Sequence, residues 1–157
     1  MPYEADPNAP VLFYGHRAGT YAAFSNWYGG APFEFEGVRF ANSEQAMMYF
    51  KSDDSAYRRK VLKTPDPGSV KRLGRTVKLR PDWDRVKYGI VVRILTAKFG
   101  QNESLKALLL STGERKIHED CEDRWWGGGP NYPGGRDLLG KALMETRGIC
   151  RKTSKAS

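Results

Sequence analysis

Apolar and polar positions alternate in short bursts in the first forty residues and recur at helical spacing thereafter. Val11-Leu12-Phe13-Tyr14 reads as a first short strand. Phe33-Glu34-Phe35 and Val38-Arg39-Phe40 alternate on either side of Glu36-Gly37, the pattern of a hairpin. Asn42 or Ser43 then caps a helix that carries Glu44; with Asn42 as the cap, Gln45 stands where a capping box needs it. Asp53, Asp54 or Ser55 caps a second helix, which must stop near Thr64, before Pro65. Asp66-Pro67 is a cap followed by proline at the first helical position, and Gly74 closes that short helix. Asp82 opens what reads as the longest helix, with Val86, Ile90, Val91, Ile94 and Ala97 at helical spacing and Gly100 at its end. Leu105, Leu108 and Leu109 mark another helix, ended by Gly113, and Lys116-Ile117-His118-Glu119 a short strand. Glu122 to Gly135 is a loop rich in glycine, proline and tryptophan; Leu138, Leu139, Ala142 and Leu143 belong to a last helix. The expectation is an α+β fold: a helix-rich single domain with a small β-sheet. Residues 10–148 form the domain, 1–9 a flexible N-terminus, and the basic stretch 149–157 a disordered tail.

Composition narrows the class. A chain of 157 residues, 39% hydrophobic and 28% charged, is a soluble globular domain long enough to bury a core. No apolar run approaches the ~20 residues of a membrane span. Met1 to Ala9 lacks a basic segment followed by an apolar core, so it does not read as a signal peptide. With only Cys121 and Cys150 there is no disulfide framework, and the expected compartment is intracellular, cytoplasmic or nuclear.

The formal charge of +8 is unevenly spread. Between Arg58 and Arg80 stand nine basic residues (Arg58, Arg59, Lys60, Lys63, Lys71, Arg72, Arg75, Lys78 and Arg80) against one acid, Asp66. Arg147, Arg151, Lys152 and Lys155 follow near the C-terminus. Such a concentration attracts polyanions or phosphate-bearing ligands.

Two segments carry candidate chemistry. Glu44 and Lys51 lie seven residues apart, so on a helix they return to nearly the same face. Met47 and Met48 stand between them, on the side that also carries Ala46 and Phe50. An acid and an amine flanking an apolar stripe sit half-desolvated at a cavity, where their protonation is tuned for chemistry; the plainer alternative is a helix edge with both charges bent into water. The second segment is Asp123-Arg124-Trp125-Trp126-Gly127-Gly128-Gly129-Pro130-Asn131-Tyr132. Glycines let backbone N–H groups approach a ligand, indoles offer faces for stacking, and an acid just ahead can bind ribose hydroxyls. The plainer alternative is a loop folded over the core. A metal site is not expected: His118 and Cys121 have suitable spacing but no close second pair completes a set. The three glycines are no Walker loop, since no Gly-Lys-Ser/Thr follows.

Eight motifs in order carry a family resemblance: Phe24-Ser25-Asn26-Trp27, Ser43-Glu44-Gln45, Lys51, Leu73-Gly74-Arg75, Arg80-Pro81-Asp82-Trp83, Ala97-Lys98-Phe99, the Asp123-x-x-Trp126-Gly127-x-Gly129 run, and Leu139-Gly140-x-x-Leu143-Met144-x-x-Arg147. From about Leu12 to Arg147 the chain resembles the NADAR, or YbiA-like, family. One departure is Asp137, where many relatives carry Asn before the Leu-Gly pair.

The resemblance implies a cofactor-free hydrolase that cleaves an N-glycosidic bond between ribose and a nitrogen base. Two substrate classes go with the family: ADP-ribose attached to guanine in nucleic acid, and the phosphorylated ribosylamino-pyrimidine intermediates of riboflavin synthesis. The excess positive charge suits a diphosphate on a polyanion, so ADP-ribosylated guanine in DNA is the expected substrate, ADP-ribose the product, and a monomer the working form. Glu44 is expected as acid/base and charge stabiliser, Lys51 as the amine that attacks C1″ and holds the ring-opened sugar as a Schiff base, and Asp123 to orient the ribose or assist proton transfer. Trp83 and Trp126 are expected to sandwich planar groups, Asn26 and the Gly127 backbone to bind polar edges, and Arg75 to hold phosphates. The alternative outside catalysis is a reader that binds ADP-ribose without turnover; a general DNA-binding domain lacks a helix-turn-helix pattern here.

Overall fold

A computed structural model describes residues 6–156. The expected flexible N-terminus falls partly outside them: nothing is described of residues 1–5, and Asp6 to Ala9 form a turn closed by the Ala9 N–H to the Asp6 carbonyl. The order is β1 (Val11–Phe13), a 3-10 turn (Ala22–Phe24), β2 (Phe33–Phe35), β3 (Val38–Phe40), α1 (Ser43–Phe50), α2 (Ser55–Leu62), α3 (Pro67–Gly74), α4 (Trp83–Gly100), α5 (Glu103–Ser111), β4 (Ile117–Glu119) and α6 (Leu138–Ala156).

The strands form two separate pairs rather than one sheet. β2 and β3 make the expected hairpin, with Phe33 opposite Phe40. Its turn puts Glu36 and Gly37 at φ of 54° and 77°, the left-handed pair that a two-residue hairpin loop requires. β1 and β4 pair in parallel, Phe13 opposite Glu119. The hairpin and five helices separate them in the chain, so no local signal announces the pairing.

The helix caps follow the sequence. The Asn42 side chain accepts the Gln45 N–H at 2.8 Å, Asp54 caps α2 through Tyr57, and Asp66 caps α3 through Ser69, with Pro67 in the first turn. The Gln45 side chain reaches back one residue further than a capping box, accepting the Ala41 N–H at 2.8 Å. Gly74 ends α3 for a packing reason: a Cβ there would stand 2.3 Å from the Met48 sulfur. Asp82 precedes α4 but spends its carboxylate on Arg80, at 2.6 Å, instead of capping.

The core gathers Phe24, Phe33, Phe40, Leu95, Phe99, Leu109, Ile117, Leu139 and Leu143, all fully buried. α4 runs through its centre, packed on α1, α5 and α6, and buries Val91, Val92, Ile94, Leu95 and Phe99. α6 is the longest helix at 19 residues, one more than α4, because it runs on to Ala156 where a disordered tail was expected beyond Gly148. Ile149 packs on the core, Cys150 is buried and Arg151 donates to Glu114 and the Gly113 carbonyl, which is what ties this end down. Gly140 lets α6 lie against β4: a Cβ there would meet the Ile117 carbonyl at 2.2 Å. Asp137, just ahead of α6, holds the same junction, with Oδ2 2.6 Å from His118 Nδ1 and Oδ1 accepting the Glu119 N–H at 3.4 Å.

Candidate active site

The N-terminus of α1 is pinned from two sides. The Asn26 carbonyl accepts the Glu44 N–H at 2.9 Å and the Ser43 hydroxyl at 3.4 Å. Beneath them Lys98 of α4, 0% exposed, donates to the Ser25 carbonyl at 3.1 Å and to Ser43 Oγ at 3.4 Å. Burial pushes the Lys98 ammonium down to about 7. This amine ties the segment after the 3-10 turn to the start of α1, and so fixes the relative placement of Asn26 and Glu44.

Above this anchor lies a cavity of about 180 Å³, walled by Ser25, Asn26 and Trp27, by Glu44, Met47 and Met48 of α1 and Lys51 just past its end, by Lys71 and Arg75 at α3, and by Glu119, Asp123 and Trp126. Glu44 is only 5% exposed, and burial raises its carboxyl to about 7 against the pull of Lys71 and Lys51. Burial likewise lowers the Lys51 amine, with Lys71, Arg75 and Lys87 adding to the effect and Glu44 opposing it. The Lys51 Nζ faces the Met48 sulfur at 3.7 Å, a weak acceptor that leaves the amine poorly solvated. An acid and an amine whose proton affinities are shifted toward each other therefore line one pocket, coupled by charge across it.

Of the residues expected from the sequence, the cavity brings together Glu44, Lys51, Asp123, Asn26, Trp126 and Arg75. Asn26 Oδ1 is buried without a partner among the described residues. Asp123 uses Oδ1 to accept the Trp125 and Trp126 N–H groups, at 2.9 and 3.0 Å, which orders the loop beside it.

Two expectations are corrected. Trp83 does not face the cavity: it is 6% exposed and sits in the core as the first residue of α4, so it cannot sandwich a ligand against Trp126. The Gly127 backbone is not free for a ligand: its N–H donates to the Asp123 carbonyl and its carbonyl accepts the Asp137 N–H, both at 2.9 Å. Gly127 is glycine because a Cβ would lie 2.4 Å from the Cys121 carbonyl.

Six wall residues lie outside the set expected from the sequence: Ser25, Met47 and Met48, and three with more to offer a ligand, Trp27, Lys71 and Glu119. Trp27 supplies an indole to the cavity where Trp83 does not, and its place beside Asn26 in the Phe24-Ser25-Asn26-Trp27 motif was the available signal. Lys71 was visible only as one of nine clustered cations. Glu119 had no signal, since it reaches the site through the parallel pairing of β4 with β1. Among the described residues no group of three or more His, Cys, Asp or Glu side chains could hold a metal ion, and His118 is engaged by Asp137.

A helix-rich α+β domain with a buried glutamate and a desolvated lysine lining one cavity defines a class of small catalytic domains. The match is specific: residues 12–151 fit the NADAR domain model, and the chain belongs to that family. It is 35% identical over 140 residues to the N-glycosidase YbiA of Escherichia coli, covering 87% of this chain and 86% of the relative. The solution structure of E. coli YbiA superimposes with a TM-score of 0.86 at 31% identity, covering 96% of this chain and 89% of the other. An N-glycosidase of Acanthamoeba polyphaga mimivirus is 33% identical over 163 residues, covering 87% of this chain and 94% of its own length. A riboflavin biosynthesis protein of Vibrio vulnificus is 31% identical over 142 residues, 88% of this chain but 38% of that longer protein.

Proposed function

We propose that the protein is an N-glycosidase, and that its substrate is ADP-ribose joined to guanine in DNA. The observation that carries the reading is the burial of Glu44 in one cavity with the desolvated amine of Lys51. Glu44 relieves Lys51 of its proton; the neutral amine attacks C1″ as the base departs, and the opened sugar is held as a Schiff base until water releases it. The proton that Glu44 has taken then goes to the ring oxygen as the sugar opens, which returns Glu44 to the carboxylate beside the cationic Schiff base. Lys71 and Arg75 on the same wall suit the diphosphate, and Trp27 and Trp126 suit planar groups. The net charge of +8 favours a polyanion over a small monophosphate.

A second reading, hydrolysis of ribosylamino-pyrimidine phosphates, draws support from the similarity to a riboflavin biosynthesis protein. The two are separated by incubating the protein, side by side, with a guanine-ADP-ribosylated oligonucleotide and with the ribosylamino-pyrimidine phosphate. Release of ADP-ribose from the first, with the second untouched, is the expected outcome. Turnover of the second alone replaces the substrate; binding of the first without release of either product replaces the enzyme with a reader.

A further inference from the structure

A second chamber of about 640 Å³ adjoins the first and shares Ser25, Trp27, Lys71, Glu119 and Asp123 with it. The segment Tyr14 to Ala18 and Cys121 complete its lining. Its walls differ in character from those of the inner cavity. Trp27 offers an indole face, His16 lies 5.6 Å from that ring, and Tyr14 stands 75% exposed at the edge. The inner cavity instead carries Glu44, Lys51 and Arg75, the groups suited to a sugar and its phosphates. A planar heterocycle attached to a ribose in the inner cavity would extend past Trp27 into the outer chamber.

Glu119 and Asp123 are the acids that line both chambers, whereas Glu44 and Lys51 line only the inner one; Asp123 uses Oδ1 to order the Trp125-Trp126 loop. The Glu119 Oε2 is buried with no partner among the described residues, and the Cys121 thiol beside the carboxyl group favours its ionised form. A backbone frame holds Glu119: its carbonyl accepts the Gly128 and Cys121 N–H groups at 2.9 Å, and its own N–H donates to Asp137. A carboxyl group on rigid backbone, in the wall shared by two cavities, is placed to meet a ligand that spans them.

We propose that the outer chamber receives the departing base and that Glu119 is the catalytic acid that protonates it. The proposal rests on the N-glycosidase reading above. As the C1″–N bond breaks, its electron pair goes to the base nitrogen, which takes the proton from the Glu119 carboxyl and leaves a carboxylate. The water that later hydrolyses the Lys51 adduct supplies the hydroxyl to the sugar and returns its proton to Glu119. The two acids thus divide the work: Glu44 serves the amine and the sugar, Glu119 serves the leaving group. Burial holds the Glu119 carboxyl near 7, so it is protonated in the lower part of the working range. The charged and titratable groups around it are Cys121, Asp123 and Asp137 from its own side, Lys71 of α3 and Glu44 of α1, with His16 and Arg17 across the outer chamber.

The test compares two leaving groups in the wild type and in Glu119→Gln: guanine in an ADP-ribosylated oligonucleotide, and 4-nitrophenolate in the corresponding glycoside of ADP-ribose, which departs without a proton. The account predicts that Glu119→Gln loses roughly 10²-fold or more in kcat with guanine and only a few-fold with nitrophenolate. It predicts further that the decline of wild-type activity with guanine above about pH 7 disappears in the variant. Equal losses on both substrates, or a pH profile unchanged by the substitution, would overturn the role of Glu119 and leave the N-glycosidase reading standing. A wild type that releases nothing from either substrate would overturn both. Glu119→Asp, which keeps the acid but shortens its reach, should restore the decline with pH while recovering part of the rate; its failure to restore that limb also counts against the proposal.

Discussion

Glu44 bears a cost that only function explains. Its carboxyl is raised from 4.5 to about 7 in the folded protein, so between those values the folded chain binds more protons than the unfolded one. Stability contributed by the protonated acid is therefore complete below pH 4.5 and lost as pH rises through about 7. Glu44→Gln, which is neutral throughout, should be more stable than wild type above pH 7, by roughly 3 kcal/mol, and match it more closely near pH 4.5. Chemical denaturation at the two pH values measures this; a variant less stable at both would mean that the carboxylate is stabilising where it sits. Lys51 makes a complementary prediction. Borohydride added during turnover should attach the sugar to wild-type protein and not to Lys51→Arg, as read by intact mass. An adduct that persists in the variant would place the amine elsewhere.

At the scale of elements, the site depends on how α4 carries Lys98 beneath the start of α1. The Lys98 amine is lowered from 10.5 to about 7, so in that window the unfolded chain binds more protons and stability rises with pH. Lys98→Met should abolish this rise, visible in melts from pH 7 to 10. It should also slow turnover, because the Ser25 carbonyl and Ser43 hydroxyl lose the donor that holds Asn26 beside Glu44. Unchanged kcat in a folded Lys98→Met would show that the anchor does not position the site. The elements differ in how much of this was readable. Caps and proline positions are local chemistry, so α1, α2 and α3 could be placed almost to the residue, and the spacing of Glu44 and Lys51 on α1 follows from helix geometry alone. Trp83 was misplaced because a tryptophan at a helix start reads the same whether it faces core or cavity; packing on α4 decided it. Glu119 and the outer chamber were invisible because a parallel pairing across most of the chain creates them. The end of α6 was missed because its polar, basic composition resembles a tail, while Cys150 and Arg151 are held by tertiary contacts.

Across the whole molecule, a charge of +8 surrounds a cavity that itself holds Lys51, Lys71 and Arg75. Among the described residues no helix is long and apolar enough to cross a membrane. If the substrate is a polyanion, KM should climb about tenfold or more as salt rises from about 50 to about 200 mM, with kcat little changed. A salt-insensitive KM would favour a small phosphorylated substrate. On the proposed reading the basic surface serves capture, and the cleavage belongs to the cavity that holds Glu44 and Lys51.

That division is tested most directly by single turnover of a guanine-ADP-ribosylated DNA oligonucleotide with excess protein, comparing wild type with Glu44→Gln. The account predicts free ADP-ribose and unmodified oligonucleotide from wild type, and a rate lower by roughly 10²–10⁴-fold from the variant, which still binds the substrate. Equal release by the two proteins would remove Glu44 from the chemistry; no release by folded wild type would contradict the assignment of this substrate.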